Sequence, residues 1–411
     1  MMRALHADAV VLGDGAPVAD GAVVFGPAGV VVAVGAAAEI LPRHAGVAVE
    51  RIRGVVLPGL VNAHTHLELS ALRGQVPGGA GFVPWVEHLI GVRDEVQPEG
   101  DVAAVERAVD ELEACGTVAV GEVTNSLAAV GPLARRGFAG CVFHEVFGVE
   151  RGPLLERLAA LPRMVEERLG TWPSAQLAYA PSPHTLYTTH ADVVRRLLEQ
   201  GAERGLRLSL HLAEHAAERR FLENGDGPIA GWYEQRLRLR RDLLEWPGQS
   251  PVAFADSLGA LAPNVLAVHL TDARPEELEL IASRGSPVVL CPRSNLHIET
   301  RLPPLLALRA VGIAPGLGTD SLASNASLDV LAEARALSER FPSVPAAELV
   351  AMATWGSARA LGLRDVGRIA PGARPGLFAI AGDPGADPCA FVLRNVRSPR
   401  RWLARRGESS T

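Results

Sequence analysis

The sequence predicts an α/β chain folded as a (β/α)8 TIM-like barrel, with a small β-sandwich domain contributed by both chain ends. Three observations carry that expectation. Apolar runs of about six residues alternate with amphipathic stretches through the middle of the chain, as buried parallel strands and their covering helices do. Short apolar segments broken by Gly, Asp and Pro clusters occupy both ends. Histidines and carboxylates recur where the central runs stop, which is the face on which such barrels keep their chemistry.

Residues 9–12, 22–25 and 30–34 read as strands of a small β unit. Eight apolar runs follow at 55–61, 117–123, 141–147, 176–181, 206–212, 265–270, 287–291 and 313–318, and eight is the barrel number. Segments 102–114, 191–204, 275–284, 305–311, 328–340 and 346–361 carry apolar residues at helical spacing. Turn-rich short segments return from Gly367 onward and are expected to complete the N-terminal unit. The expected division is therefore 1–57 with 363–411 as a discontinuous β-sandwich and 58–362 as the catalytic barrel. A doubly wound sheet would need a Gly-rich phosphate loop after its first strand, and none is present.

Bulk properties narrow the function classes. The 411 residues accommodate a barrel of roughly 250 plus a smaller unit. A formal net charge of −6 without a basic block argues against nucleic-acid binding, so a small-molecule substrate is expected. The run 236–241 reads as a solvated helix face. Cys115, Cys141, Cys291 and Cys389 lie far apart, which signals neither a zinc ribbon nor a disulfide framework and fits a reducing cytoplasm. Glycines and a proline interrupt the apolar segment 22–41, so neither a signal peptide nor a membrane span is expected. A homodimer is the oligomer left open.

The chemistry sits at the ends of the runs. The first ends in His64-Thr65-His66, and alternation along an extended strand sends both imidazoles to one side, as two ligands of one metal require. The fifth ends in His211-Leu212-Ala213-Glu214, the sixth in His269 and the eighth in Gly318-Thr319-Asp320. Any one of these could be a hydrogen-bonded structural residue. Together they offer the nitrogen and oxygen donors that zinc or ferrous iron accepts.

Through Pro58-Gly59-Leu60-Val61-Asn62-Ala63-His64-Thr65-His66, His211-Leu212-Ala213-Glu214, His269 and Gly318-Thr319-Asp320-Ser321, the chain resembles the amidohydrolase superfamily, and within it the mononuclear aminohydrolases. The resemblance implies His64, His66, His211 and Asp320 as ligands of one divalent metal, Zn2+ with Fe2+ as the alternative, and Glu214, His269 and Asp320 as catalytic groups. Binuclear members usually bridge their metals with a carboxylated lysine, and this chain contains no lysine. A bridge from Glu145 remains conceivable. The implied reaction is hydrolytic deamination, in which Glu214 carries a proton to a ring nitrogen, His269 stabilises developing charge and Asp320 serves the leaving amine.

The stretch His64 to Ser70, the pair Pro183-His184 and Cys291-Pro292-Arg293-Ser294-Asn295 resemble the branch of deaminases acting on aminodeoxyfutalosine, methylthioadenosine and S-adenosylhomocysteine. An N6-amino purine nucleoside is then the expected substrate, with 6-amino-6-deoxyfutalosine of menaquinone biosynthesis foremost. Glu68, Trp85, His184 and Arg293 are the expected substrate contacts, with Arg219, Arg220 and Arg151 as further candidates for an anionic tail. His215 and His297 complete the rim, and His6, His44, His88, His144 and His190 are expected in surface or packing roles. The alternatives are a guanine, formiminoglutamate or triazine-type hydrolase and a non-catalytic binding barrel.

Overall fold

A computed structural model describes residues 2–95, 102–236, 238–239 and 246–406, so part of the charged run 236–241 lies outside the described residues. The chain opens with β1 (Arg3–Val10), β2 (Val18–Phe25), β3 (Val31–Ala36) and β4 (Val49–Pro58). The barrel strands follow as β5 (Leu60–Thr65), β6 (Thr117–Thr124), β7 (Ala139–Val146), β8 (Leu177–Pro183), β9 (Leu208–Leu212), β10 (Val265–His269), β11 (Val288–Leu290) and β12 (Gly316–Leu317). Finally β13 (Leu377–Ala381) and β14 (Arg400–Ala404) return to the first unit.

Both chain ends share one six-stranded sheet of order β14-β13-β4-β1-β2-β3, in which Phe378 pairs with Leu57 and Ile380 with Val55. The eight central strands form two parallel four-stranded sheets, β5-β6-β7-β8 and β12-β11-β10-β9. Two seams close them into a barrel. At one, Thr319 N–H and Asp320 N–H both donate to His64 O at 3.0 Å, and Thr65 bridges Asp320. At the other, His211 N–H donates to His184 O at 3.1 Å. Every residue of β5, β6, β7 and β9 is buried, which explains why those runs read as continuous apolar segments without alternation.

Two expectations need correction. The run 55–61 is not one strand: residues up to Pro58 belong to β4 of the end sheet, and the first barrel strand starts at Leu60. Gly59 marks the change because a Cβ there would sit 2.5 Å from both Pro375 O and Val118 Cγ1. Gly59→Ala is expected to destabilise the protein by about 2 kcal/mol through overpacking, a fall of roughly 2 °C in thermal midpoint by calorimetry. The run 313–318 pairs only over Gly316–Leu317, where Ser357 Oγ accepts from Leu317 N–H at 2.8 Å and holds the short strand from the helical side.

The helices match closely. Val102–Ala114 and Pro275–Arg284 have the expected bounds. The helix expected from 328 starts at Val330, because the Asp329 carboxylate caps it by accepting from Leu331 N–H at 3.0 Å. Among the described residues no helix is long and apolar enough to cross a membrane.

Candidate metal centre and substrate cavity

The barrel rim gathers the imidazoles. His64, on β5, is fully buried, and neither ring nitrogen has a hydrogen-bond partner. His66 lies just past the strand, its Nε2 3.4 Å from His211 Nε2. His211 Nδ1 lies 3.0 Å from His184 O and donates its proton there, which turns the Nε2 lone pair toward His66 and His64. Asp320 Oδ1 stands 3.6 Å from His66 Nε2 and 3.9 Å from His64 Nε2. Buried lone pairs facing one another without donors are costly unless a cation lies among them, so this donor set fits a divalent metal.

Electrostatics favour the ligating forms. Burial, then the charges of His211 and His66, drives His64 well below the ordinary histidine value, and burial with His184 brings His211 down to about 3. Burial alone would raise Asp320, but the imidazoles of His66 and His269 and the Ser294 hydroxyl outweigh it and hold the carboxyl below its usual value. Ser294 Oγ donates to Asp320 Oδ2 at 2.5 Å, and Ser321 N–H donates to Oδ1 at 2.9 Å. Neutral imidazoles and an ionised carboxylate are what a metal needs.

Beside this cluster, His269 Nε2 lies 3.6 Å from Glu214 Oε1. Asn295 Nδ2 donates to His269 Nδ1 at 3.3 Å, which leaves the ring proton on Nε2 facing the cluster. Burial and the charges of Asp320 and Glu218 push Glu214 well above the carboxylate range. Three rim residues hold left-handed backbones, Ala213 at φ 47°, His269 at 78° and Asp320 at 57°, strain of the kind that gathers at working sites.

A cavity of about 250 Å³ opens over these groups. Glu68, Trp85 and His184 line it, whereas Arg293 does not: its guanidinium donates to Ser327 Oγ at 3.0 Å and faces Glu333. Glu68 is mostly engaged by protein, since its Oε2 accepts from Thr124 Oγ1, Asn125 N–H, and the backbone and hydroxyl of Ser126 at 2.6 to 3.0 Å. Trp85 lies on the helix Phe82–Glu95. Arg219, Arg220 and Arg151 pair with Asp272, Asp226 and Asp192 away from the cavity. Among the described residues the arginine that lines the cavity is Arg93, exposed on the helix, which no sequence motif pointed to although it follows Trp85 and Leu89 at four-residue intervals on one helix face.

Three of the other histidines have local partners. His215 stacks on Phe82 at 4.0 Å and lies 3.3 Å from Tyr187 Oη, and His297 Nε2 is 3.0 Å from Val76 O. His144 Nδ1 is 2.9 Å from Tyr179 Oη, and Glu145 Oε1 is buried without a hydrogen-bond partner.

The chain is similar to known proteins. The amidohydrolase family description matches residues 55–399. An aminodeoxyfutalosine deaminase from Deinococcus radiodurans is 31% identical over 378 residues, covering 88% of this chain and 86% of its own. A 5-methylthioadenosine/S-adenosylhomocysteine deaminase from Nitratidesulfovibrio vulgaris is 28% identical over 346 residues, covering 82% and 73%. The crystal structure of Helicobacter pylori aminofutalosine deaminase with methylthio-coformycin superposes with a TM-score of 0.86 at 23% identity, over 98% of this chain and 97% of that one. A family match running from within β4 through the whole barrel and β13 establishes that this chain belongs to the amidohydrolase family.

Proposed function

We propose that this hydrolase of carbon–nitrogen bonds in cyclic amidines deaminates an N6-amino purine nucleoside to its 6-oxo form, with 6-amino-6-deoxyfutalosine as the substrate. The observation that carries the reading is the meeting of Glu214, His269 and Asp320 beside the His64, His66 and His211 cluster at one end of a largely apolar cavity. The 31% identical aminodeoxyfutalosine deaminase supports the substrate.

In this reading His64, His66, His211 and Asp320 hold one divalent cation, zinc by the character of three nitrogens and one oxygen. Bound there, it supplies an activated water at neutral pH. Glu214 takes a proton and passes it to the ring nitrogen beside the amino-bearing carbon, a task suited to a carboxyl whose proton affinity burial has raised. His269, with its proton on Nε2, donates to the oxygen on which charge develops. Asp320, fixed by Ser294 and Ser321, takes the remaining proton of the water whose oxygen has bonded to the ring carbon and hands it to the amine, which leaves as ammonia when the C–N bond breaks. Trp85 and His184 wall the site in which the nucleoside lies.

Purified protein is expected to hold about one equivalent of zinc or iron and to release ammonia from aminodeoxyfutalosine, followed by ultraviolet absorbance as adenine becomes hypoxanthine. Negligible turnover of that compound beside fast turnover of methylthioadenosine would sink the substrate and spare the class.

A further inference from the structure

We infer that Glu218 is a positioning residue for this deamination, clamping the backbone that carries Glu214; the inference rests on the deaminase reading above. Glu218 is 1% exposed and is not part of the cavity wall, so it acts through its neighbours. Its Oε1 accepts from Ala213 N–H at 3.1 Å and its Oε2 from Glu214 N–H at 2.8 Å. Both oxygens are thus spent on consecutive amides at the left-handed turn of Ala213. Without an acceptor, those two buried N–H groups would have no reason to keep a strained conformation.

The clamp has a second jaw. Ala213 O accepts from Asp272 N–H at 2.8 Å, and Leu212 O accepts from Leu270 N–H at 3.1 Å, so the loop bearing Glu214 is tied to the loop after His269. Arg219, next to Glu218 on the helix Ala216–Asn224, fixes that second loop by donating to the Asp272 carboxylate at 2.6 Å and to its carbonyl at 2.7 Å. Glu277 holds the same guanidinium at 2.8 and 2.7 Å. One short helix therefore sets the spacing between Glu214 and His269. The helix is itself anchored where His215 Nδ1 accepts from Glu218 N–H at 3.0 Å.

Gln at this position keeps the shape but offers one acceptor in place of two, and turns an N–H toward an N–H. Glu218→Gln is expected to lower kcat per bound metal by roughly ten- to hundredfold, because displacement of a reacting group by about 1 Å suffices for that. KM should stay within about threefold, since no substrate contact is removed. Glu218→Ala should do the same or more. Hydrogen exchange of peptides covering Leu212 to His215, read by mass spectrometry on protein with wild-type metal content, should quicken in both variants. Unchanged exchange overturns the clamp. A loss of activity that simply follows lost metal, or a kcat per metal within twofold of wild type, overturns the positioning role. Failure of the wild-type protein to deaminate any N6-amino nucleoside sinks the substrate reading, and the exchange comparison then still decides the clamp.

Discussion

Glu214→Gln is expected to reduce kcat by roughly two to four orders of magnitude while metal content stays at the wild-type level. Gln is isosteric, so the contact with His269 and the backbone hydrogen bond to Glu218 can persist. What disappears is the ability to take and return a proton. Burial and the charges of Asp320 and Glu218 raise the Glu214 carboxyl well above its usual range, so it takes up a proton more readily than an exposed carboxylate would. Metal analysis beside steady-state kinetics decides the matter. Full activity in a metal-replete variant would remove Glu214 from the proton path.

The second large effect concerns acid. Burial is the leading cause that brings His184, His211 and His215 down to about 3 and His144 and His269 to about 4. Unfolded, each would titrate near 6.5. As pH falls below 6.5 the unfolded chain takes up protons that the folded protein refuses, so stability is fully present above 6.5 and is lost progressively toward pH 3 to 4. Taken singly, each shift is worth on the order of 3 kcal/mol when fully developed, and because neighbouring imidazoles repel one another's charge the contributions of the cluster do not simply add. The thermal midpoint is expected to drop by about 10 °C between pH 7 and pH 4.5, with metal lost in the same range. Circular dichroism melts across that interval test it. His144, which packs against Tyr179 and lies outside the His64, His66 and His211 cluster, allows a control: His144→Asn should flatten the slope without touching that cluster. A midpoint that stays level from pH 7 to pH 4.5 would contradict the burial of these rings.

These two expectations meet in the barrel closure. The backbone of His64 accepts from Thr319 and Asp320, and that of His184 accepts from His211, so the hydrogen bonds that shut the barrel also set the distances among its functional side chains. Loss of the cluster through acid and loss of the fold are therefore expected together.

Much of this was legible in the chain. His64-Thr65-His66 reads as two groups on one side of a strand because side-chain direction alternates every residue, and Thr65 does point elsewhere, bonding Asp320 O at 3.2 Å. Continuous apolar runs revealed strands buried on both faces. The absence of lysine by itself rules out a carboxylated-lysine bridge. Strand boundaries were less legible, as at Gly59, where the two sheets meet inside one apolar run and hydrophobicity alone cannot mark the change.

Sequence alone thus determined the periodicity, the rim position of His64, His66, His211, Glu214, His269 and Asp320, and the kind of chemistry those groups can perform. Only the tertiary structure decided which charged side chains are available to a substrate. Arg293 and Arg219 follow strands as well as any rim residue does, yet Ser327 and Glu333 engage the first, and Asp272 and Glu277 the second. Arg93 lies far from every motif and still reaches the cavity. The reason is physical: alternation and helical spacing fix a side chain's direction within its own element, whereas its partners come from elements tens or hundreds of residues away, and only packing brings those into range.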